Sequence, residues 1–211
     1  MKTKFKYLII LTLAYFTFGI IFKFYELKKF KNSNIVLEIS ANNSTKTAFN
    51  KALSFYPKLQ KELIIIKELK SDLPYFSRPT ITSIIFPFFK RVYLIGLSTS
   101  STKKREPTLM HNLSKKAKIG AFGHELAHIF DYIDKSTFNI IIFGIKYLND
   151  NFKENIEKKT DRIAIKHNIS IYILQWAKEV YPIKKNDGNR GVIYYSPTEI
   201  ESIITKQKNN E

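Results

Sequence analysis

The chain contains no cysteine. That absence excludes disulfides, thiol catalysis, thiolate metal sites and a lipidated N-terminal cysteine, and it leaves histidine and carboxylate as the strong metal ligands. Arginine is sparse, because the formal charge of +17 comes mostly from lysines scattered along the 211 residues. Phosphate and base recognition rests on arginine clusters or a known module; neither is present, so no nucleic-acid partner is expected. A composition rich in lysine, isoleucine and asparagine fits a biased genome as readily as an anionic partner. Internal repeats are also lacking.

What is present is enough apolar material for one compact domain. Hydrophobic residues make up 44% of the chain and aromatics 14%, which rules out wholesale disorder. The first feature is an uncharged apolar run from Tyr7 to Phe22, preceded by Lys2, Lys4 and Lys6 and followed by Lys23, Lys28, Lys29 and Lys31. As a helix it is roughly 24 Å long, slightly short of a bilayer's hydrocarbon core, and interfacial Phe5, Phe24 and Tyr25 with snorkelling lysines close the gap. A cleaved signal peptide is the rival, but Gly19-Ile20-Ile21-Phe22-Lys23 offers no small-residue cleavage site. Residues 1–30 are therefore expected to form a membrane anchor with basic flanks, and 31–211 one domain, in a single-pass protein. Lysines on both sides leave the positive-inside rule little asymmetry; the expectation is a domain on the exported side.

Beyond the anchor, Ala48, Phe49, Ala52, Leu53 and Tyr56 recur at helical spacing and Pro57 ends the segment. Three short β-rich runs follow, Leu63 to Lys67, Thr80 to Phe86 and Arg91 to Leu97, and these are expected to be strands of one small sheet. Lys90, Arg91 and Pro87 argue against a second membrane span within this stretch. Ser98 to Pro107 has loop composition and is a candidate flap. The chain then turns helical, with Ser114 capping a helix through Ile133, Ser136 one through Leu148, Asn151 opening one to about His167, and Ser170 to Val180 making another. Asp187-Gly188-Asn189 reads as a turn, Val192 to Tyr195 as a short extended piece, and Pro197 as the first residue of a last helix. The expected class is α+β, a small sheet packed on a mainly helical domain behind one N-terminal transmembrane helix.

The stretch that carries chemistry is Gly123-His124-Glu125-Leu126-Ala127-His128. Histidines four apart on a helix stack one turn above the other, so His124 and His128 can reach one metal ion, while Glu125 can address a water beside it as general base. A catalytic zinc site takes three protein ligands and an open position, so a third ligand is required. The Gly and His of a metzincin continuation are missing after His128. Downstream, Glu157 and Asp161 share a helical face, which lets Glu157 bind the metal while Asp161 accepts a hydrogen bond from a ligand histidine. Glu154 is the reserve ligand. Asp131 and Asp134 read as exposed carboxylates, His111 and His167 have ordinary explanations, and Arg190, Tyr194 and Tyr195 are candidates for an oxyanion donor, each with packing or surface as its plainer role.

With these residues the chain resembles the gluzincin group of zinc peptidases, in which a second helix supplies a Glu ligand and, four residues on, an acidic partner. It is also similar to bacterial membrane-anchored HExxH proteins from about Arg78 to Ile200, including Thr160-Asp161 and Tyr195-Ser196-Pro197, although better-known relatives often carry Ala before the acidic residue. The resemblance implies a zincin-like domain, a Zn2+ cofactor and hydrolysis of peptide or protein substrates. From order along the chain, a strand edge near Arg91 to Leu97 is expected to hold an extended peptide by backbone pairing. The alternatives are a non-catalytic metal-binding membrane protein and a lysine-rich binder of anionic lipid or nucleic acid.

Overall fold

The computed structural model describes residues 2–40, 43–186 and 193–208. The chain begins with a long helix, α1 (Lys2–Lys28), whose stretch Ile9–Lys28 is long and apolar enough to cross a membrane. A four-stranded sheet follows in pieces, β1 (Ile35–Glu38), β2 (Leu63–Leu69), β3 (Tyr75–Pro79) and β4 (Val92–Ser98), in spatial order β1-β2-β4-β3. β1, β2 and β4 are parallel, with Ile64 beside both Ile35 and Tyr93. β3 runs antiparallel to β4, with Tyr75 opposite Leu97, and forms one edge of the sheet. The Arg91 to Leu97 run is therefore an inner strand, and the edge expected there is supplied instead by Tyr75–Pro79.

Sequence patterning located β2 and β4 but misread Thr80 to Phe86, which is a short helix, α3 (Ile81–Ile85). Thr80 accepts a hydrogen bond from the Ser83 amide, and this cap starts a helical turn despite the β-branched composition. Strands β1 and β3 carry little signal in the sequence: each is short, and the buried positions of β3 include Ser77 and Pro79.

Both faces of β2 are covered. Ile64 and Ile66 enter the main core, while Leu63 and Ile65 join Val92 in a smaller cluster against which Leu27, Phe30, Val36 and Leu94 pack. The last turn of α1 and the residues after it thus cover part of the sheet's far face. On the core side lie α2 (Asn43–Leu53) and α4 (Lys115–Ile133), followed by α5 (Thr137–Lys146), α6 (Asp150–Ala164), α7 (Ser170–Lys185) and α8 (Pro197–Lys208). These match the expected helices, with α6 capped by Asn149 and α7 running past Val180 through Pro182.

α4 is the central element and is buried along most of its length. Its start is fixed by Ser114, which caps the Ala117 amide and is itself held by Glu179 of α7, 2.6 Å from the hydroxyl and 3.0 Å from the amide. Gly120 allows the two helices to cross closely, since a Cβ there would lie 2.1 Å from the Tyr172 carbonyl oxygen. Asn168, at φ 63°, turns the chain from α6 into α7 in the left-handed conformation that Asn tolerates better than most residues. Most of the polar segment Ser98 to Pro107 is loop, but its first residue ends β4 and its last two lie in a short 3-10 turn, Glu106–Thr108.

Candidate metal centre

α4 presents His124, Glu125 and His128 into the interior, and α6, packed across it, presents Glu157, Thr160 and Asp161 to the same place. All six are buried. One ligand atom from each of His124, His128 and Glu157 lies within 4.8 Å of the others. Glu157 Oε2 is 2.9 Å from His124 Nε2 and 3.6 Å from His128 Nε2. Donors on a tetrahedral ion with bonds near 2.05 Å stand roughly 3.3 Å apart, so these separations bracket what one ion requires.

The outer nitrogens of both rings are occupied. His124 Nδ1 donates to Asp161 Oδ1 at 2.8 Å, which turns Nε2 toward Glu157. Thr160 Oγ1 is 3.2 Å from His128 Nδ1 and donates its own proton to the Ile156 carbonyl at 2.9 Å, so the hydroxyl is left to accept from the ring. Each histidine is thereby fixed in the tautomer that faces Nε2 inward. Glu157 is steadied by Tyr147, whose hydroxyl donates to Oε1.

Charge is unevenly matched in this buried cluster. Burial opposes an imidazolium at His124, but its hydrogen bonds to Asp161 and Glu157 outweigh that and raise the pKa to about 10. Burial also works against the Glu157 carboxylate, yet the facing histidines hold its pKa well below the usual range. Glu125 Oε2 is buried with no hydrogen-bond partner. An orphaned, buried carboxylate oxygen on the residue next to His124, in the same buried stretch of α4 as both imidazoles, suits a site that holds a metal ion and a water. The residues fit a metal.

Around this centre sit groups that sequence reasoning did not single out. Trp176 of α7 packs its ring 5.0 Å from that of His124 and donates to the Tyr75 hydroxyl at 2.5 Å. Ser77 of β3 donates to the Glu125 carbonyl at 2.9 Å, tying the edge strand to the metal helix. Lys184 lies 3.6 Å over the Tyr194 ring, and loss of hydration lowers its pKa to about 8 against the pull of Glu157, Glu125 and Asp161. Composition alone hinted at Trp176, the single tryptophan. Tyr147 and Lys184 carry no pattern that would have revealed them.

The remaining candidates sort plainly. Glu154 turns away to Lys158 at 2.7 Å and is not brought to the centre. Asp131 is half-buried rather than exposed, because Lys135 and Lys159 both pair with it, and Asp134 is exposed at the end of α4. His111 is exposed, and His167 bonds the Ile163 carbonyl while stacking on Tyr56. Of the three proposed oxyanion donors, Tyr194 has its ring 5.5 Å from that of His124, whereas the Tyr195 hydroxyl is taken by Arg162. Arg190, the Asp187-Gly188-Asn189 turn and Val192 lie outside the described residues.

Comparison with protein-family models, curated proteins and solved structures finds no match to this chain.

Proposed function

We propose that the protein is a membrane-anchored zinc metallopeptidase of zincin-like fold, with His124, His128 and Glu157 as ligands and Glu125 as general base. The observation that carries this reading is the convergence of three buried ligand atoms from His124, His128 and Glu157, with the unpartnered Glu125 Oε2 on the residue next to the first of them. With two nitrogen donors and one carboxylate, and no thiolate, the set suits Zn2+. When bound, zinc would supply Lewis acidity toward a water and a substrate carbonyl. The chain's own residues do the rest. Glu125 takes the proton of the attacking water and returns it to the leaving amine, and Asp161 and Thr160 hold the two imidazoles in place. Tyr194, its phenol held protonated by burial far above its usual range and its ring near that of His124, would serve as the donor to charge developing on the carbonyl oxygen.

A substrate in extended form would pair with the outer edge of β3, which Ser77 fixes beside Glu125. Crossing of a bilayer by α1, with the domain on the exported side, completes the reading. It is tested by comparing the unmodified chain with Glu125→Gln for zinc content and for cleavage of an unstructured protein. The amide is nearly isosteric, so zinc should stay near one per chain while hydrolysis falls by about 10²-fold or more. Full activity in Glu125→Gln would sink the proposed chemistry.

A further inference from the structure

We infer that the segment Ile81–Phe89 dips into the lipid alongside α1, so that the domain is seated in the outer layer of the membrane by a second, non-spanning element. The inference rests on the reading of α1 as a membrane span. Its basis is a ladder of contacts between the two segments, ordered by depth.

At the domain end of α1, Lys23 is fully buried, bonded to Glu26 at 2.6 Å, to Ser83 Oγ at 2.8 Å and to the Lys90 carbonyl at 3.4 Å. Thr82 donates to the other oxygen of Glu26 at 2.7 Å. These polar contacts join the start of α3 and the return of the segment at Lys90 to the level of Lys23. The middle of the segment meets α1 further toward its N-terminus. Phe86 lies against Gly19, where a Cβ would come within 2.6 Å of its ring, and packs on Tyr15 at 5.2 Å. Phe88 reaches Phe16 at 5.2 Å and Tyr15 at 6.3 Å. Tyr15 and Phe16 precede Lys23 by about two turns, so at 1.5 Å per residue Phe88 sits roughly 10–12 Å along α1 from the charged level. The segment descends along α1, turns at Pro87 and returns.

Its outer surface is apolar. Ile81 and Ile85, one helical turn apart, are 59% and 49% exposed, and Phe88 is 48% exposed. Water would be a poor neighbour for that face. Lipid suits it, because it is continuous with the exposed Phe16 and Ile20 of α1 at the same depth. The backbone is also prepared for hydrocarbon, where an unbonded carbonyl is costly: the Ile85 carbonyl at the end of α3 accepts from the Tyr15 hydroxyl, and the Phe86 amide bonds the Thr82 carbonyl. The ammonium of Lys23 has its counter-charge supplied by Glu26 at the boundary.

The absence of native cysteine makes a direct test simple. Single Ile85→Cys, Phe88→Cys, Leu13→Cys and Lys116→Cys variants of the full chain are labelled with an environment-sensitive fluorophore and reconstituted in phosphatidylcholine–phosphatidylglycerol vesicles with or without doxyl-labelled lipid. Leu13 is an exposed residue within α1, and Lys116 is exposed at the start of α4, at the opposite end of that helix from the Arg91–Tyr132 contact. The expected result is blue-shifted emission and loss of fluorescence to doxyl lipid at positions 85 and 88, comparable to position 13, with none at 116. Quenching at 13 but not at 85 and 88 would overturn the inference and leave the span intact. A blue shift at 85 and 88 without quenching would put protein, such as a second copy, over the segment and overturn it as well. Loss of quenching at position 13 would remove the span on which it rests.

Discussion

Thr160 stands to His128 as Asp161 stands to His124. The hydroxyl lies 3.2 Å from Nδ1 of the second ligand ring and the carboxylate 2.8 Å from Nδ1 of the first, and the two are consecutive residues of α6. One helix therefore orients both histidines of another. The carboxylate is the stronger acceptor because it is charged, so its loss should cost more. Asp161→Asn is expected to weaken zinc binding by roughly ten- to a hundredfold, and Thr160→Val by less, within about tenfold. Competition with a chelator of known affinity measures both, and equal losses would contradict the ranking.

Glu157→Ala leaves two protein ligands and should lower zinc content itself, with activity falling in step. Glu154→Ala should change neither, since that carboxylate pairs with Lys158. Elemental analysis of the purified variants decides the matter. A Glu157→Ala protein that keeps a full complement of zinc would move the third ligand elsewhere.

Metal binding and protonation compete at His124. Its folded pKa of about 10 lies above the ordinary imidazole value of 6.5, so in the metal-free protein the imidazolium contributes stability fully below about 6.5 and loses it as pH rises through about 10. Zinc bound as proposed would displace one proton from this ring. Apparent zinc affinity should accordingly rise with pH, approaching tenfold per unit up to about pH 10, while the metal-free domain becomes less stable over the same window. Chelator competition and thermal unfolding of the metal-free protein at several pH values check the two opposite trends.

Removing residues 1–22 and removing residues 1–30 should have different consequences. The shorter cut keeps Leu27 and Phe30 on the sheet face formed by Leu63, Ile65 and Val92, and the longer one strips them away. At about 1.5–3 kcal/mol for each fully buried side chain, and less for these partly buried ones, the longer truncation is expected to be less stable by roughly 2–4 kcal/mol. Urea unfolding of the two shortened chains in the same mild detergent tests this, and equal midpoints would refute it.

Gly120→Ala introduces a single methyl group where α4 and α7 touch. The added carbon would sit 2.1 Å from the Tyr172 carbonyl oxygen and 2.8 Å from the Trp176 Cβ, and a backbone oxygen gives way less easily than a side chain. A loss of about 2–3 kcal/mol or more is expected, together with weaker zinc binding, because Trp176 packs on His124. Gly144→Ala is the control, as a Cβ there meets nothing within 4 Å.

The candidate site on α4 was legible because its pattern is local. Helical periodicity alone places His124 over His128, and the four-residue offset of Glu157 and Asp161 puts both on one helical face before any fold is known. Ser114 and Ser136 announced the starts of α4 and α5 for the same reason, each accepting from an amide three residues on. The apolar run of α1 spoke through its length. Where the sequence misled, at Thr80 to Phe86, β-branched composition was outweighed by a cap and by docking on α1, neither of which a short window registers.

By itself, then, the sequence determined which residues can share a helical face, where helices begin, and that no thiol takes part. Only the tertiary structure decided that Glu157 and not Glu154 meets the histidines, that β3 rather than β4 forms the edge, and that Tyr147, Thr160 and Lys184 belong to the centre. These are outcomes of how α6 and α7 pack across α4, set by the close crossing at Gly120 and the turn at Asn168. Spacing along the chain carries the geometry of one helix, whereas the meeting of two depends on side-chain volumes far apart in sequence.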